Sequence, residues 1–254
     1  MSTPANRVPT PANMLFIDIE TAPSLGWVWA KWQTNVIDFK RDWYMLSFAY
    51  KWAHEDQVHV KALVDYPGYE RHTESDKALA KDLWKLLDEA DIIIAQNGDA
   101  FDLPKINTRF LIHGLQPPSP YKTVDTLKIA KKAFAFDSNK LDDLAHYLGI
   151  GRKLPHTGFH LWKGCMSGDP EAWKQMKEYN VHDIKLLEEL YYKVRAWDKQ
   201  HPQVNKGLTA NEACPKCASD HVQKRGFSYT LLRKKQRYQC LNCRTWYEGS
   251  AKKV

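Results

Sequence analysis

The chain has 254 residues, of which 43% are hydrophobic and 12% aromatic, and no apolar run is long enough to span a membrane. These values exclude an integral membrane protein and predict a soluble protein with one large domain and room for a small appendage. The formal net charge is +7, but residues 214–254 hold ten Lys or Arg against two acids, so the rest of the chain is nearly neutral. A basic tail on a neutral body favours a polyanionic partner over a merely solubilising tail.

The N-terminal residues 1–12 are rich in Pro, Ser, Thr and Asn and lack the apolar core of a signal peptide. We therefore predict a disordered start and a cytoplasmic protein.

Strand-like segments open the ordered part of the chain. Residues 15–21 predict a first strand, and residues 45–53 and 57–64 predict two more around a short polar break, which completes a three-strand meander. Between them, a tryptophan-rich stretch fits neither helical nor strand spacing and predicts a long loop. Its side chains Trp27, Trp29 and Trp32 could stack on unpaired bases, but packing is the favoured interpretation.

Helices and strands alternate in the remainder of the body. The pattern predicts strands over 91–95 and 121–124 and helices over 75–89, 103–113, 127–134, 141–148 and 170–197. The sequence thus predicts an α/β fold with a mixed sheet flanked by helices. The glycine-rich segment 152–169 carries His156, His160 and Cys165, and we interpret it as an ordinary surface loop rather than a metal site.

Two carboxylates stand out in the first strand. Asp18 and Glu20 are two residues apart, so both side chains lie on one face of the strand. Like charges that close together repel and lose hydration unless a cation sits between them. A divalent metal is the favoured explanation, and an edge strand with its acidic face in water is the alternative.

Two further acids are candidates for the same site. Asp102 follows the strand over 91–95 directly, a usual position for functional groups, although it could simply cap a helix. Asp183 falls on the apolar stripe of the last helix, one turn after Tyr179. A buried carboxylate must be neutralised, hydrogen-bonded or metal-bound, so an Asp–Tyr or Asp–Lys pair in the core stays open.

Together the four acids would form an oxygen-rich site suited to Mg²⁺ or Mn²⁺. Two such ions roughly 4 Å apart can activate a water and stabilise the leaving oxygen in phosphodiester cleavage. The phenol of Tyr179 could orient the attacking water.

These motifs resemble those of a known family. The segments 16–21, Asn97 to Asp102, and Tyr179 to Asp183 are similar to the three motifs of the DnaQ-like 3′–5′ exonucleases, the DEDD group of the RNase H-like fold. The resemblance implies catalytic and metal-binding roles for Asp18, Glu20, Asp102 and Asp183.

The last motif also distinguishes two subtypes of this family. Members with a catalytic histidine carry it five residues before the last Asp, where this chain has Glu178, whereas Tyr179 matches the tyrosine subtype of several polymerase proofreading domains. His182 points about 100° away from Asp183 on a helix and is interpreted as non-catalytic. The resemblance implies that Thr21 lies near the 3′ end of the substrate and that Asn97 supports the site, so both are candidates for substrate binding.

Four cysteines define the tail. The pairs Cys214/Cys217 and Cys240/Cys243 are separated by 22 residues, a spacing typical of a four-cysteine zinc site. The stretch between them predicts two strands and resembles a zinc ribbon, whose folding energy would come from the metal. Its basic residues Arg233, Lys234, Lys235 and Arg237 alternate with aromatic residues and favour nucleic-acid contacts over a protein-docking role.

The sequence therefore predicts a disordered start over 1–12, a 3′–5′ exonuclease domain over 13–200, a linker over 201–211 and a zinc ribbon over 212–254. DNA is the expected substrate, with two Mg²⁺ or Mn²⁺, one Zn²⁺ and a separate polymerase or recombination protein as possible partners. The alternatives are a structure-specific endonuclease of the same fold and a non-catalytic nucleic-acid adaptor. Such stand-alone exonucleases resemble proteins often encoded by bacteriophages, which would place the protein in a bacterial host cytoplasm.

Overall fold

The computed structural model describes residues 12–32, 35–205 and 213–253. Most of the predicted disordered start and most of the predicted linker lie outside these residues. None of the helices in the described ranges is both long and apolar enough to cross a membrane.

A five-stranded mixed sheet forms the centre of the body. Its strands are Met14–Thr21 (β1), Met45–Trp52 (β4), His59–Ala62 (β5), Ile92–Ala95 (β6) and Lys122–Asp125 (β7), and their order in the sheet is β5-β4-β1-β6-β7. Strand β1 is antiparallel to β4, which is antiparallel to β5, whereas β6 runs parallel to β1 and to β7. The run of three isoleucines in β6 is buried, as expected for a central parallel strand with both faces covered. This arrangement confirms the predicted meander and mixed sheet.

Among the described residues, six α-helices cover the two faces of the sheet: Lys77–Glu89 (α1), Asp102–Ile112 (α2), Thr126–Ala133 (α3), Leu141–Tyr147 (α4), Phe159–Met166 (α5) and Pro170–Val194 (α6). One apolar cluster contains residues of α1, α2 and α5, and a second contains residues of α3 and α4. Helix α6 contributes Met176 to the first cluster and Ile184 to the second, so it crosses from one to the other between them. The predicted Tyr179 and Asp183 lie on this crossing segment.

The tryptophan-rich stretch is not simply a loop. It contains two short antiparallel strands, Leu25–Trp27 (β2) and Asp38–Arg41 (β3). Trp27, Trp29 and Trp32 are 61%, 84% and 86% exposed, so the interpretation that they pack in the interior is wrong. The spacing of apolar residues does not predict this exposure, because the side of the hairpin that faces solvent is itself apolar.

The predicted surface loop over 152–169 contains helix α5, so that interpretation is also wrong. Gly164 lies inside this helix because a side chain there would collide with Ala172 of α6, whose Cβ is 2.5 Å from the position of an added Cβ. Cys165 is fully buried against the first apolar cluster. Gly164 thus permits a close helix–helix contact rather than marking a loop.

A separate three-stranded antiparallel sheet, in the order β10-β9-β8, follows the body. The two predicted strands are present, and a third was not predicted: Val222–Tyr229 (β8), Arg233–Cys240 (β9) and Trp246–Lys253 (β10).

The ribbon contacts the turn Arg195–Trp197, which directly follows α6, through Lys216 and through Thr245, whose Oγ1 donates to the Ala196 carbonyl oxygen over 3.5 Å. Lys216 is largely buried, and its Nζ donates to the carbonyl oxygens of Arg195 (3.2 Å), Ala196 (3.1 Å) and Asp198. A cation is favourable at this end because the last carbonyls of a helix have no partner within it.

Candidate functional site

Strand β1 positions the first two acids. Asp18 and Glu20 lie on one face of β1, opposite Ala49 and Ser47 of β4, respectively. These small side chains leave room for α6 to approach the strand, and the Ser47 hydroxyl donates to Asn180 Oδ1 of that helix over 3.1 Å. Short residues on β4 therefore allow α6 to bring Asp183 to the acidic pair.

The structure brings three carboxylates together. One oxygen each from Asp18, Glu20 and Asp183 lies within 4.8 Å of the others. The fourth acid, Asp102, is outside this group but adjacent to it, and its Oδ1 accepts a hydrogen bond of 3.1 Å from the Ile19 amide. Asp102 is the first residue of α2 and not its N-cap, so its carboxylate is fixed against β1.

Crowding and burial shift the pKa values of these acids upward. Burial raises the pKa of Asp18 well above its usual range, and the charges of Asp102, Glu20 and Asp183 add to the effect. Burial, with the charge of Asp183, raises the pKa of Glu20 to about 8, and burial raises that of Asp102 to about 7. The cluster is therefore unfavourable as a set of bare anions and would be stabilised by a cation.

Lys153 supplies part of this positive charge. Its Nζ lies 2.5 Å from Asp183 Oδ2 and donates to the Tyr179 hydroxyl oxygen over 2.9 Å. Burial alone would lower the pKa of Lys153, but the contact with Asp183 outweighs it and raises this pKa. The Asp–Lys pair considered from the sequence is thus present.

The pair does not satisfy Asp183 completely. Asp183 Oδ1 is buried and has no hydrogen-bond partner in the structure. A buried carboxylate oxygen without a partner, facing two further carboxylates, fits a hard divalent cation by the chemistry of its donors. Asp18, Glu20 and Asp183 are therefore suited to hold Mg²⁺ or Mn²⁺.

Aromatic residues and an amide complete the surroundings of the acids. Asn180 Nδ2 donates to Asp18 Oδ2 over 2.6 Å, and the Trp162 indole hydrogen-bonds to Glu20. His156 packs edge-on against Tyr179, with the ring centroids 5.0 Å apart. Tyr179 is held between these groups, and burial followed by the charge of Asp183 raises its pKa to about 12.

The two substrate contacts predicted in the body lie at the ends of neighbouring strands, since Thr21 ends β1 and Asn97 follows β6. Thr21 Oγ1 accepts a hydrogen bond of 3.3 Å from Lys105 Nζ. Asn97 adopts a left-handed conformation with φ of 63°, and its amide donates to Asp125 Oδ1 over 2.9 Å. A cavity of about 690 Å³ opens beside Asp18 and Asn97 and reaches Lys131.

The two alternative residues of the last motif do not join the cluster. Glu178 is exposed, and His182 Nε2 contacts the Arg152 carbonyl at 2.7 Å. Neither residue belongs to the group of three acids, and the interpretation of His182 as non-catalytic stays a prediction.

The four ribbon cysteines converge on one point. Their sulfur atoms lie within 4.8 Å of one another, with Cys214 to Cys243 and Cys217 to Cys240 each 3.6 Å apart. Tetrahedral zinc, with Zn–S bonds of about 2.3 Å, holds its sulfurs about 3.8 Å apart, whereas a disulfide requires about 2 Å. The cluster therefore fits a four-thiolate zinc site.

The two cysteine turns have the same backbone shape. Ala218 and Arg244 directly follow Cys217 and Cys243, and both have positive φ, of 57° and 65°. Such a turn at each pair aims two sulfurs at a common centre.

The predicted basic residues occupy both faces of β9. Side chains alternate along a strand, so Arg233, Lys235 and Arg237 share a face and Lys234 points to the other. Lys234 Nζ lies 4.0 Å from the Phe227 ring centroid, and Lys235 pairs with Glu248 at 2.8 Å. The basic side chains of β9 thus form two separate surfaces, one on each face of the strand.

Three residues near the acids were not predicted from the sequence: Lys153, Asn180 and Trp162. The helical period could have found Asn180, because it lies four residues after Met176 and three before Asp183 on the inner face of α6. Lys153 and Trp162 reach the site from the segment interpreted as a surface loop, and no local pattern marks them.

The comparisons with known proteins concern the body of the chain. Residues 15–195 match the RNase_H superfamily. No curated protein matches the sequence significantly. Among solved structures, the chain is similar to the family B DNA polymerase of the hyperthermophilic archaeon Pyrobaculum calidifontis, with a TM-score of 0.54 and 17% identity over 75% of this chain.

That alignment spans only 25% of the polymerase chain, so the likeness concerns one part of a much longer protein. At this level of identity it is evidence for the fold. With the mixed sheet, the converging acids and a match over most of its length, the chain belongs to the RNase_H superfamily.

Proposed function

We propose that the protein is a metal-dependent 3′–5′ exonuclease of the DnaQ-like DEDD group, tyrosine subtype, which releases nucleoside 5′-monophosphates from the 3′ end of single-stranded DNA. The observation that carries the proposal is the meeting of Asp18, Glu20 and Asp183 within 4.8 Å, with Tyr179 one turn from Asp183 on the same helix. The order of the three motifs supports the 3′–5′ subtype, and the likeness to part of a DNA polymerase favours DNA over RNA.

The acids and Tyr179 have distinct tasks in this proposal. When bound, divalent cations lower the pKa of water and neutralise charge that develops on the phosphate. Asp18, Glu20, Asp102 and Asp183 would hold two of these ions. Because the pKa of Tyr179 is raised to about 12, its hydroxyl keeps its proton at neutral pH and can orient the attacking water by hydrogen bonding.

The surroundings position these groups. Asn180 fixes the Asp18 carboxylate through its 2.6 Å hydrogen bond, and Lys153 fixes both Tyr179 and Asp183. Thr21 and Asn97 flank the acids, where the sugar and base of the terminal nucleotide would lie.

The ribbon has a separate role in the proposal. Cys214, Cys217, Cys240 and Cys243 would bind one structural Zn²⁺, and Arg233, Lys235 and Arg237 would contact the phosphates of the strand. Such an enzyme could act in proofreading beside a separate polymerase, in repair or in recombination.

The test is a time course with Mg²⁺ or Mn²⁺ on single-stranded DNA and RNA of matched sequence, labelled at the 5′ end, with Asp18→Ala as the inactive variant. Shortening from the 3′ end, absent in the variant, is the expected result. Internal cuts, including cleavage of a circular single strand, would identify an endonuclease instead. Tight binding of an uncut substrate by both proteins would identify an adaptor.

A further inference from the structure

The hairpin formed by β2 and β3 presents an apolar surface to solvent. Eight large hydrophobic side chains between residues 25 and 39 are exposed: Leu25, Trp27, Val28, Trp29, Trp32, Val36, Ile37 and Phe39. Exposed apolar side chains that cluster in this way, rather than occur singly, mark an interaction surface.

The hairpin is a built element and not a frayed segment. Its strands pair Gly26 with Phe39 and Trp27 with Asp38, and the Ile37 amide donates to the Trp27 carbonyl over 2.8 Å. Gly26 is required for this pairing, since a Cβ there would lie 2.3 Å from Val36 Cγ1 and 2.9 Å from the Asp38 carbonyl oxygen. Trp27 is therefore held in a paired strand, and Trp29 and Trp32 follow in the segment directly after it.

The base of the hairpin is fastened to the body. Arg41 Nη1 lies 2.6 Å from Glu74 Oε1, and the Arg41 guanidinium stacks on the Tyr44 ring at 5.1 Å. The Ala22 amide donates to the Tyr44 carbonyl over 2.9 Å, which closes the entry to the hairpin. Whatever binds the tryptophans is thereby held at a fixed position relative to β1.

That position adjoins the candidate active site. Leu25 follows Thr21 by four residues, and Thr21 follows the acid Glu20 directly. Lys105 continues the surface, because its Nζ contacts Thr21 Oγ1 and lies 4.0 Å from the Trp43 ring centroid and 5.1 Å from the Phe101 ring centroid. Lys105 thus places a cation and two aromatic rings beside Thr21, at the end of β1 from which the chain enters the hairpin.

The charge of the hairpin favours a polyanion. Between residues 25 and 41 the chain carries Lys31, Lys40 and Arg41 against the single acid Asp38, although the body as a whole is nearly neutral. Lys31 Nζ lies 5.1 Å from the Trp32 ring centroid, so a cation and an aromatic face are offered together. Aromatic faces beside cations are the combination that binds the bases and phosphates of unpaired nucleic acid.

We infer that Trp27, Trp29 and Trp32 form a stacking platform for unpaired nucleotides of the strand whose 3′ end enters the acid cluster. The inference rests on the proposed function for the identity of that strand. The platform selects single-stranded nucleic acid, because bases within a duplex have no free face to stack on it. It binds the strand upstream of the cleaved bond and contacts no reacting atom.

The test measures affinity without cleavage. Full-length protein carrying Asp183→Asn is titrated into a fluorescein-labelled 20-nucleotide oligo(dT) and into a blunt duplex, and anisotropy is recorded. Replacing Trp27, Trp29 and Trp32 together by alanine should weaken oligo(dT) binding by at least a hundredfold, at roughly tenfold for each stacked base, and change duplex binding by less than threefold.

Two variants control for the fold and for the chemistry. Trp197→Ala removes a tryptophan that is as exposed as Trp27 but lies in the turn Arg195–Trp197 after α6, and it should leave oligo(dT) affinity unchanged. Tyrosine at the three hairpin positions keeps an aromatic face and should restore most of the affinity. Circular dichroism verifies that each variant is folded.

Binding and cleavage are read separately, so the two proposals can fail independently. A protein that never shortens DNA but loses oligo(dT) affinity in the alanine variant would refute the exonuclease and support the platform. Oligo(dT) affinity within twofold of the parent would overturn the platform. If light scattering then showed a dimer becoming a monomer in the alanine variant, a second copy of the chain would be the occupant.

Discussion

The acid cluster and the cysteine cluster are both suited to metal ions, but they are built in opposite ways. Asp18 and Asp183 are far apart in sequence and meet because a sheet and a long helix pack between two apolar clusters. The four cysteines lie within residues 214–243 and meet through two local turns. In the body the folded structure positions the acids, whereas in the ribbon metal binding by the cysteines would stabilise the folded structure.

Burial in the two regions agrees with this distinction. The apolar side chains from Leu15 to Ile19 of β1 and all four side chains of β6 are buried, and two extensive apolar clusters flank the sheet. In the ribbon, among residues 213–249, the buried side chains are few and include two of the metal-binding cysteines: Ala213, Cys214, Lys216, Tyr238, Cys240 and Thr245. We therefore expect the two regions to respond differently when charges or metals are removed.

The largest effect should come from Asp183→Asn. This change removes a carboxylate from the acid cluster and should reduce cleavage by roughly a thousandfold. Oligonucleotide binding should stay within a few-fold, because the cationic surfaces lie elsewhere. Gel-resolved time courses measure cleavage, and anisotropy measures oligonucleotide binding. The control is Glu189→Gln, the same change of a carboxylate to an amide at an exposed position of α6. Undiminished cleavage would remove Asp183 from the site.

The next effect concerns the ribbon. Cys217→Ser should release zinc and unfold the ribbon, which would weaken strand binding by roughly tenfold or more at low salt. The loss of three cationic contacts should also reduce the slope of log K against log salt by about 2.

Cys165→Ser is the matched control for the ribbon variant, since Cys165 is buried in the body away from the cluster. Zinc content and the salt slope should be unchanged in this control. A normal slope in Cys217→Ser itself would indicate that the ribbon docks on a protein.

A smaller effect of opposite sign is expected from Asp18→Asn. The raised pKa of Asp18 means that its ionised form destabilises the folded protein at neutral pH, and asparagine removes that charge while keeping an oxygen for Asn180. In buffer without added divalent metal, the variant should melt about 2–4 °C higher, which corresponds to about 1 kcal/mol.

Calorimetry with Asp56→Asn, at an exposed turn, measures the background for this prediction. Added Mg²⁺ should raise the melting temperature of the parent more than that of Asp18→Asn, since the parent alone has the full set of ligands. A lower melting temperature for Asp18→Asn without metal would contradict the raised pKa.

The smallest effect should be a pH dependence of stability that comes from His201, near the contact between body and ribbon. His201 Nε2 accepts from the Tyr191 hydroxyl at 2.8 Å, and Nδ1 donates to the Pro202 carbonyl at 2.7 Å. Burial lowers the pKa of His201, so the folded state favours the neutral ring. The contribution to stability is complete above the unfolded pKa of about 6.5 and decreases as the pH falls below it.

Urea unfolding of the parent and His201→Gln between pH 7.5 and 5.5 tests this sign. The parent should lose stability relative to the variant as the pH falls. A parallel pH dependence in the two proteins would exclude His201 as the cause.

The predictable part of this molecule is the part with local or periodic signals. The sheet, most helices, the position of Asp183 on the buried face of α6 and the cysteine turns follow from such signals. Helix α5 was missed because its internal Gly164 reflects a contact with Ala172 that only the tertiary structure shows. Lys153 was missed for the same reason, because a lone lysine in a glycine-rich stretch carries no pattern.

The exposure of the tryptophans in the hairpin was not predicted for a different reason. Large aromatic side chains are usually assigned to the interior, since burial is their largest favourable contribution. Nothing in the local sequence indicates that this side of the hairpin faces water. The domain boundaries at residues 12, 200 and 211 stay predictions, although Val204, inside the predicted linker, packs in the second apolar cluster.

The bonds from Lys216 to the turn after α6 imply that the proposed exonuclease measures the length of its substrate. Because this turn directly follows the helix that carries Tyr179 and Asp183, the contact sets the distance from the acids to the cations of β9. Oligonucleotides shorter than this distance would engage the acids alone, and longer ones would engage both. Affinity should therefore rise in a step at one chain length, rather than gradually, as nucleotides are added.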